Sequence, residues 1–100
     1  MARQTIGDVL KGYREAEGLS IRKAAANADM DATVLSRIEN GHRLPTSAQL
    51  VVLAEIYGKE LEPLLAVHAF SEIKQKYGQT EYFEDCLQML NEDSGTYGKR

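Results

Sequence analysis

The side chains able to do chemistry in this sequence are scattered rather than paired. Its two histidines and single cysteine stand at positions 42, 68 and 86, a spacing that matches no metal-ligand pattern. No nucleophile is paired with a base, and no glycine-rich loop could cradle a phosphate. A catalytic role, a cofactor and a metal are therefore all unexpected. Cys86 reads as a small buried hydrophobe and His68 as a residue partly packed on its helix. What remains is charge and hydrogen bonding, concentrated between residues 19 and 53. Ser20, Arg22, Lys23, Thr33, Ser36, Arg37, Asn40, His42 and Arg43 all fall in that stretch.

Helices must position these groups, because no strand signal is present. Ile6, Val9, Leu10 and Tyr13 recur at helical spacing and predict a first helix from Thr5 to Glu17, stopped by Gly18. Thr5 and Asp8 form an approximate capping box. Ser20 caps a short second helix, Ile21 to Ala28, whose Ala24-Ala25-Ala26 leaves room for a neighbouring helix to come close. Asp29-Met30-Asp31 breaks the pattern, and Asp31 caps a third helix, Ala32 to Asn40. Gly41 ends it, and Pro45 prevents its resumption. Thr46 or Ser47 caps a fourth helix through Tyr57, with Leu50, Leu53, Ala54 and Tyr57 buried. A fifth starts in Glu60-Leu61-Glu62-Pro63 and runs to about Lys76, with Leu61, Leu64, Leu65, Ala69 and Ile73 as its stripe. A sixth spans Tyr82-Phe83 through Leu90. Residues 94–100 lack apolar periodicity and read as a disordered tail.

The chain of 100 residues has room for one modest core, and 43% hydrophobic with 27% charged residues is ordinary for a globular protein. No apolar run approaches the roughly 18 residues of a membrane span. The N-terminus lacks the apolar stretch of a signal peptide, and a lone cysteine fits a reducing cytoplasm. The net charge of −3 is unevenly spread. Residues 1–44 carry seven bases against six acids, whereas residues 45–100 carry five bases against nine acids. Only the first half could approach a polyanion, and it has no strong basic patch.

Two short helices meeting at a three-residue break is a layout in which one helix crosses a phosphate backbone and the next enters a groove. The more specific signal is the surrounding spacing: Leu19-Ser20, Ala25, then Leu35-Ser36-Arg37-Ile38-Glu39-Asn40-Gly41, Arg43, Pro45, Leu50, Leu53 and Ala54. This pattern resembles the Cro and phage-repressor (XRE-type) family of helix-turn-helix proteins over roughly residues 5 to 65. Within that family the sequence also looks like small controllers linked to restriction-modification or methyltransferase cassettes. The resemblance implies an all-α fold: a compact five-helix, repressor-like DNA-binding domain over residues 1–65 (motif about 20–40) with a C-terminal helical extension over 66–93.

Matched residue by residue, the family's base-reading positions fall on Ala32, Thr33 and Arg37, with Ser36 between them able to reach a base or phosphate. Thr33 could donate to a base edge, and Arg37 could grip guanine through two hydrogen bonds. Phosphate contacts map onto Ser20, Arg22, Lys23, Asn40, His42 and Arg43. Many relatives place glutamine after the capping serine; Ile21 stands here, so Arg22 or Lys23 must supply that contact. Ala32 is poor at direct readout. Arg14 and Glu39 match a family pair that holds the recognition helix at its docking angle.

The resemblance implies a sequence-specific transcriptional regulator, a repressor or controller, acting in the cytoplasm as a homodimer on a palindromic operator in double-stranded DNA. Val67, Phe70, Ile73, Tyr77, Tyr82, Phe83, Leu87 and Leu90 exceed what the domain core can cover and are the expected dimer interface. Two alternatives stay open. An antitoxin-type protein would use its C-terminal helices to bind a protein partner, and a helical protein-interaction module would not bind DNA.

Overall fold

The computed structural model describes residues 4–97, all in helices and connecting turns without a strand among them. The helices are α1 (Ile6–Ala16), α2 (Ile21–Asn27), α3 (Ala32–Glu39), α4 (Ser47–Ile56), α5 (Leu61–Tyr77) and α6 (Phe83–Tyr97).

Local chemistry sets the ends of the first four. The Thr5 hydroxyl accepts from the Asp8 backbone N–H while the Asp8 carboxylate accepts from that of Thr5, which closes both arms of a capping box. Ser20 caps α2 at the Lys23 N–H, Asp31 caps α3 at the Thr33 N–H, and Thr46 with Gln49 closes a second capping box on α4. At the end of α3, Gly41 adopts φ 80°. That conformation lets the His42 N–H reach the Arg37 carbonyl at 2.9 Å and the Gly41 N–H reach that of Ile38 at 3.2 Å. The same double hydrogen bond ends α2, but there Asp29 takes the left-handed position, with φ 53°. A short polar side chain tolerates that region better than a branched one would. The turn between α2 and α3 is thereby fixed by backbone hydrogen bonds.

The core gathers Ile6 and Leu10 of α1, Ala24 and Ala25 of α2, Leu35 and Ile38 of α3, Leu50, Leu53 and Ala54 of α4, Tyr57, and Leu64 of α5. Packing joins α1 to α3, α2 to α3, α4 to α5 and α1 to α5. Gly7 makes the first of these possible: a β-carbon there would sit 2.5 Å from the Ile38 carbonyl oxygen and 2.8 Å from that of Glu39.

Helix α5 departs from the expected stripe. Leu61, Leu64 and Val67 turn to the core and Ser71 is buried, while Leu65 and Ala69 are exposed and Ile73 is only half-buried. The core lies under the i, i+3, i+6 face because Ser71 docks on α1, accepting a 2.8 Å hydrogen bond from the Ile6 N–H. His68, one turn earlier, reaches the Pro45 carbonyl through Nε2 at 2.8 Å. The boundary expected at residue 65 therefore falls within a continuous helix whose second half is tied to the domain.

Helix α6 belongs to none of the main packing pairs. Cys86 is accordingly half-exposed rather than buried. The radius of gyration, 15.3 Å, exceeds the roughly 13 Å of a compact 100-residue chain. The backbone of residues 94–97 continues α6 where the sequence reading places a disordered tail. No proline intervenes, and the single Gly95 costs only about 1 kcal/mol in a formed helix. Residues 98–100 lie outside the described residues.

Candidate nucleic-acid interface

The candidate interface is built on α3, the loop that follows it, and the start of α2. On α3 the apolar side, Leu35 and Ile38, is buried. With these facing inward, the opposite side of the helix presents Thr33 and Arg37, both exposed, and Ala32 and Ser36, both half-buried. At the helix end, Asn40 is exposed and its side-chain amide lies 3.4 Å from the Ser36 hydroxyl oxygen. His42 and Arg43 follow on the loop, also exposed. Ser20, Arg22 and Lys23 are exposed at the start of α2, and the Ser20 hydroxyl is engaged in capping. The fold thus leaves the polar groups of α2, α3 and the α3–α4 loop open to solvent.

A buried electrostatic link holds this arrangement. Arg14 donates from Nε to Glu39 Oε2 at 2.9 Å and from Nη2 to Oε1 at 3.1 Å, the two-pronged geometry that makes guanidinium–carboxylate pairs strong. Its remaining nitrogen, Nη1, donates to the Leu19 carbonyl at 2.8 Å. One side chain from α1 therefore grips the end of α3 and the residue just before the α2 cap. The pair is inside the protein, with the Glu39 side chain 3% and the Arg14 side chain 12% exposed. The Glu39 hydrogen bonds raise the Arg14 pKa further against the opposing effect of burial, so the guanidinium is charged throughout the accessible pH range.

Beneath the pair lies Tyr57. Its ring meets that of Tyr13 edge-on at 6.3 Å, and Lys59 Nζ sits 4.9 Å from the Tyr13 ring centre. The Tyr57 hydroxyl is buried with no hydrogen-bond partner among the described residues. Burial, reinforced by the nearby Glu39 carboxylate, pushes its pKa up to about 12.

Three positioning residues escape a reading of motifs alone: Gly7, His68 and Ser71. Gly7 had a usable signal, since an isolated glycine inside an amphipathic helix often marks a close approach. Ser71 had a weaker one, as a polar residue on the core-facing side of α5.

The expected interface residues of the C-terminal part form no buried cluster. Val67 packs against the domain core. Phe70, Ile73, Tyr77, Phe83 and Leu87 are half-buried, and Tyr82 and Leu90 are exposed.

Short caps, a fixed turn and a solvent-facing polar helix define a helix-turn-helix unit. A family model described as a helix-turn-helix domain matches residues 5–66, well over half of the chain, and the chain belongs to that family. Over 50 residues it is 36% identical to the transcriptional regulator ClgR of Mycobacterium tuberculosis, in strains CDC 1551 / Oshkosh and ATCC 25618 / H37Rv. That stretch covers 50% of this chain and 45% of each relative, so the chain matches less than half the length of those proteins. No solved structure gives a significant match. No helix among the described residues is long and apolar enough to cross a membrane.

Proposed function

We propose that this protein is a sequence-specific transcriptional regulator that binds double-stranded DNA in the cytoplasm as a homodimer on a palindromic operator. The observation that carries this reading is Arg14. By gripping Glu39 at the end of α3 and Leu19 just before the cap of α2, it sets one angle for both helices that would meet DNA. Preorganisation of this kind lowers the ordering cost of binding. In this reading α3 is the recognition helix, with Thr33 and Arg37 reading bases and Ala32 and Ser36 lying alongside. Arg22, Lys23 and Arg43 neutralise phosphates, and Ser20, Asn40 and His42 sit at the backbone.

Dimerisation follows from the short reach of an eight-residue helix, which covers too few base pairs for useful specificity alone. Two copies must present α3 about 34 Å apart. The α5 residues Leu65, Ala69, Ile73 and Tyr77 form an i+4 ridge suited to packing against its own copy. Glu72 and Lys76 flank Ile73 and could pair crosswise about a two-fold axis. Tyr82, just before α6, and Leu90, midway along it, would extend that face.

Fluorescence anisotropy with DNA from upstream of the protein's own gene tests the reading. Arg37→Ala should lose about 1–3 kcal/mol on the specific site and relax choice at one base pair. Lys23→Ala and Arg43→Ala should weaken binding on all sequences and flatten the salt slope by roughly one per protomer each. Equal loss from Arg37→Ala on specific and random DNA would refute base reading by this residue.

A further inference from the structure

Beside the recognition helix lies a cleft of about 310 Å³ that shares only Arg43 with the DNA-binding reading. It opens between the N-terminus of α1, the loop after α3, and the junction of α5 with α6. Its volume is at the lower end of small-ligand pockets. Ile6, Ile38, Leu44 and Phe83 supply apolar walls, and two cationic residues, Arg43 and Lys74, are among those lining it. Among the described residues no aspartate or glutamate lines it, in a chain whose net charge is −3.

Neither cation has an acidic partner among the described residues. Arg43 also borders the groove that holds Asp29 and Asp31, yet it forms no salt bridge with either, and Lys74 has no acidic partner among the described residues. Ser71 adds a third feature. Its side chain is buried at the cleft, the residue being 5% exposed, and its oxygen accepts from the Ile6 N–H.

Two cations without an acidic partner, a buried hydroxyl and an apolar wall are complementary to one kind of molecule: an anionic head on a short apolar body. A carboxylate suits the head, because its two oxygens fit a guanidinium fork and it loses less hydration than a doubly charged phosphate. We propose that this cleft binds a small amphipathic carboxylate through Arg43, Lys74 and Ser71, and that its occupation competes with DNA for Arg43. The competition rests on the DNA-binding reading above; the binding does not. Coupling of this kind is reciprocal, so DNA weakens the ligand by the same factor.

Sodium octanoate is a suitable probe, titrated into the isotope-labelled 100-residue chain without DNA and followed by amide chemical shifts. The amides of Gly41, Ser71 and Gly78 should move together along one saturation curve. Lys74→Glu should weaken that curve about tenfold or more, and octanamide, equal in length but uncharged, should bind about tenfold more weakly than octanoate. Adding octanoate to the DNA complex should then raise the apparent Kd for DNA, and Lys74→Glu should abolish that rise while leaving DNA affinity in the absence of octanoate unchanged. No shift at these amides would overturn the site. A shift unaffected by Lys74→Glu, or equal for octanamide, would also overturn it. Octanoate binding with DNA affinity unchanged would overturn the competition alone. A chain that binds octanoate but no DNA would refute the regulator reading and the competition, and leave the ligand site standing.

Discussion

Removing Arg14 should be far more damaging than removing an ordinary surface charge. Arg14→Ala deletes two charge-assisted hydrogen bonds to Glu39 and one to Leu19. It leaves a carboxylate whose side chain is only 3% exposed facing the void. Breaking a buried pair from one side costs about 3–5 kcal/mol. For a domain of this size, a loss of about 4 kcal/mol lowers the melting temperature by roughly 15–30 °C. Arg14→Lys keeps the charge but not the fork, and should fall between the variant and the native protein. Removing both partners also removes the orphaned charge, so Arg14→Met with Glu39→Leu should lose much less than the sum of the single changes. Thermal denaturation followed by circular dichroism measures the native protein, Arg14→Ala, Arg14→Lys, Arg14→Met, Glu39→Leu and the double variant. The reasoning fails if Arg14→Ala costs under about 1 kcal/mol, the range of an exposed pair, or if the double change is simply additive.

The other consequences concern packing and assembly. Gly7→Ala should destabilise by about 1–3 kcal/mol despite alanine's better helix propensity, because the new methyl meets the α3 carbonyls rather than a movable side chain; an unchanged melting temperature would show that α1 can retreat freely. Tyr57→Phe should be neutral or stabilising by about 1 kcal/mol, since it removes a buried hydroxyl that has no partner; a clear loss of stability would show that the hydroxyl is hydrogen-bonded. Deleting residues 79–100 removes α6 with Tyr82 and Leu90 but keeps the α5 ridge, and should weaken the dimer in sedimentation with the helical fold kept; a dimer of unchanged affinity would exclude α6 from the two-fold contact.

The helix ends were legible in the sequence because each is decided by a few neighbouring residues. Thr5, Ser20, Asp31 and Thr46 all cap as their side chains suggest. The spacing around Leu35-Ser36-Arg37-Ile38 located the motif for the same reason. Facing was harder for α5, where Leu61, Leu64, Leu65, Val67, Ala69, Phe70 and Ile73 offer apolar groups on more than one side. Periodicity could not choose among them. The choice is made by Ser71 and His68, whose partners Ile6 and Pro45 lie 65 and 23 residues away. The end of α6 carries no apolar periodicity, so its sequence gives no helical signal there even though the backbone continues to Tyr97. Gly7 shows the general limit: its role depends on which backbone lies opposite, and local patterning carries no record of that.

The acidity of the chain argues less against DNA than its sum suggests. At physiological ionic strength the field of an exposed charge decays over about 8 Å, while the protein extends 43 Å along its longest axis. Seven of the nine acids in the second half, Glu62, Glu72, Glu81, Glu84, Asp85, Glu92 and Asp93, stand on α5, α6 and the turn between them. Arg22, Lys23, Arg37 and Arg43 lie on α2, α3 and the following loop, near which DNA would dock. Segregation of this kind orients the encounter, since the acidic end is repelled while the basic end is drawn in. It also limits affinity. Counting Arg22, Lys23 and Arg43 as phosphate contacts gives about three neutralised charges per protomer and a salt slope near −3 for a monomer, rising to about −5 for a pair. A single copy would therefore hold DNA weakly at cellular salt. The sparse charge on the interface and the uncovered apolar ridge of α5 point to the same remedy, a second copy.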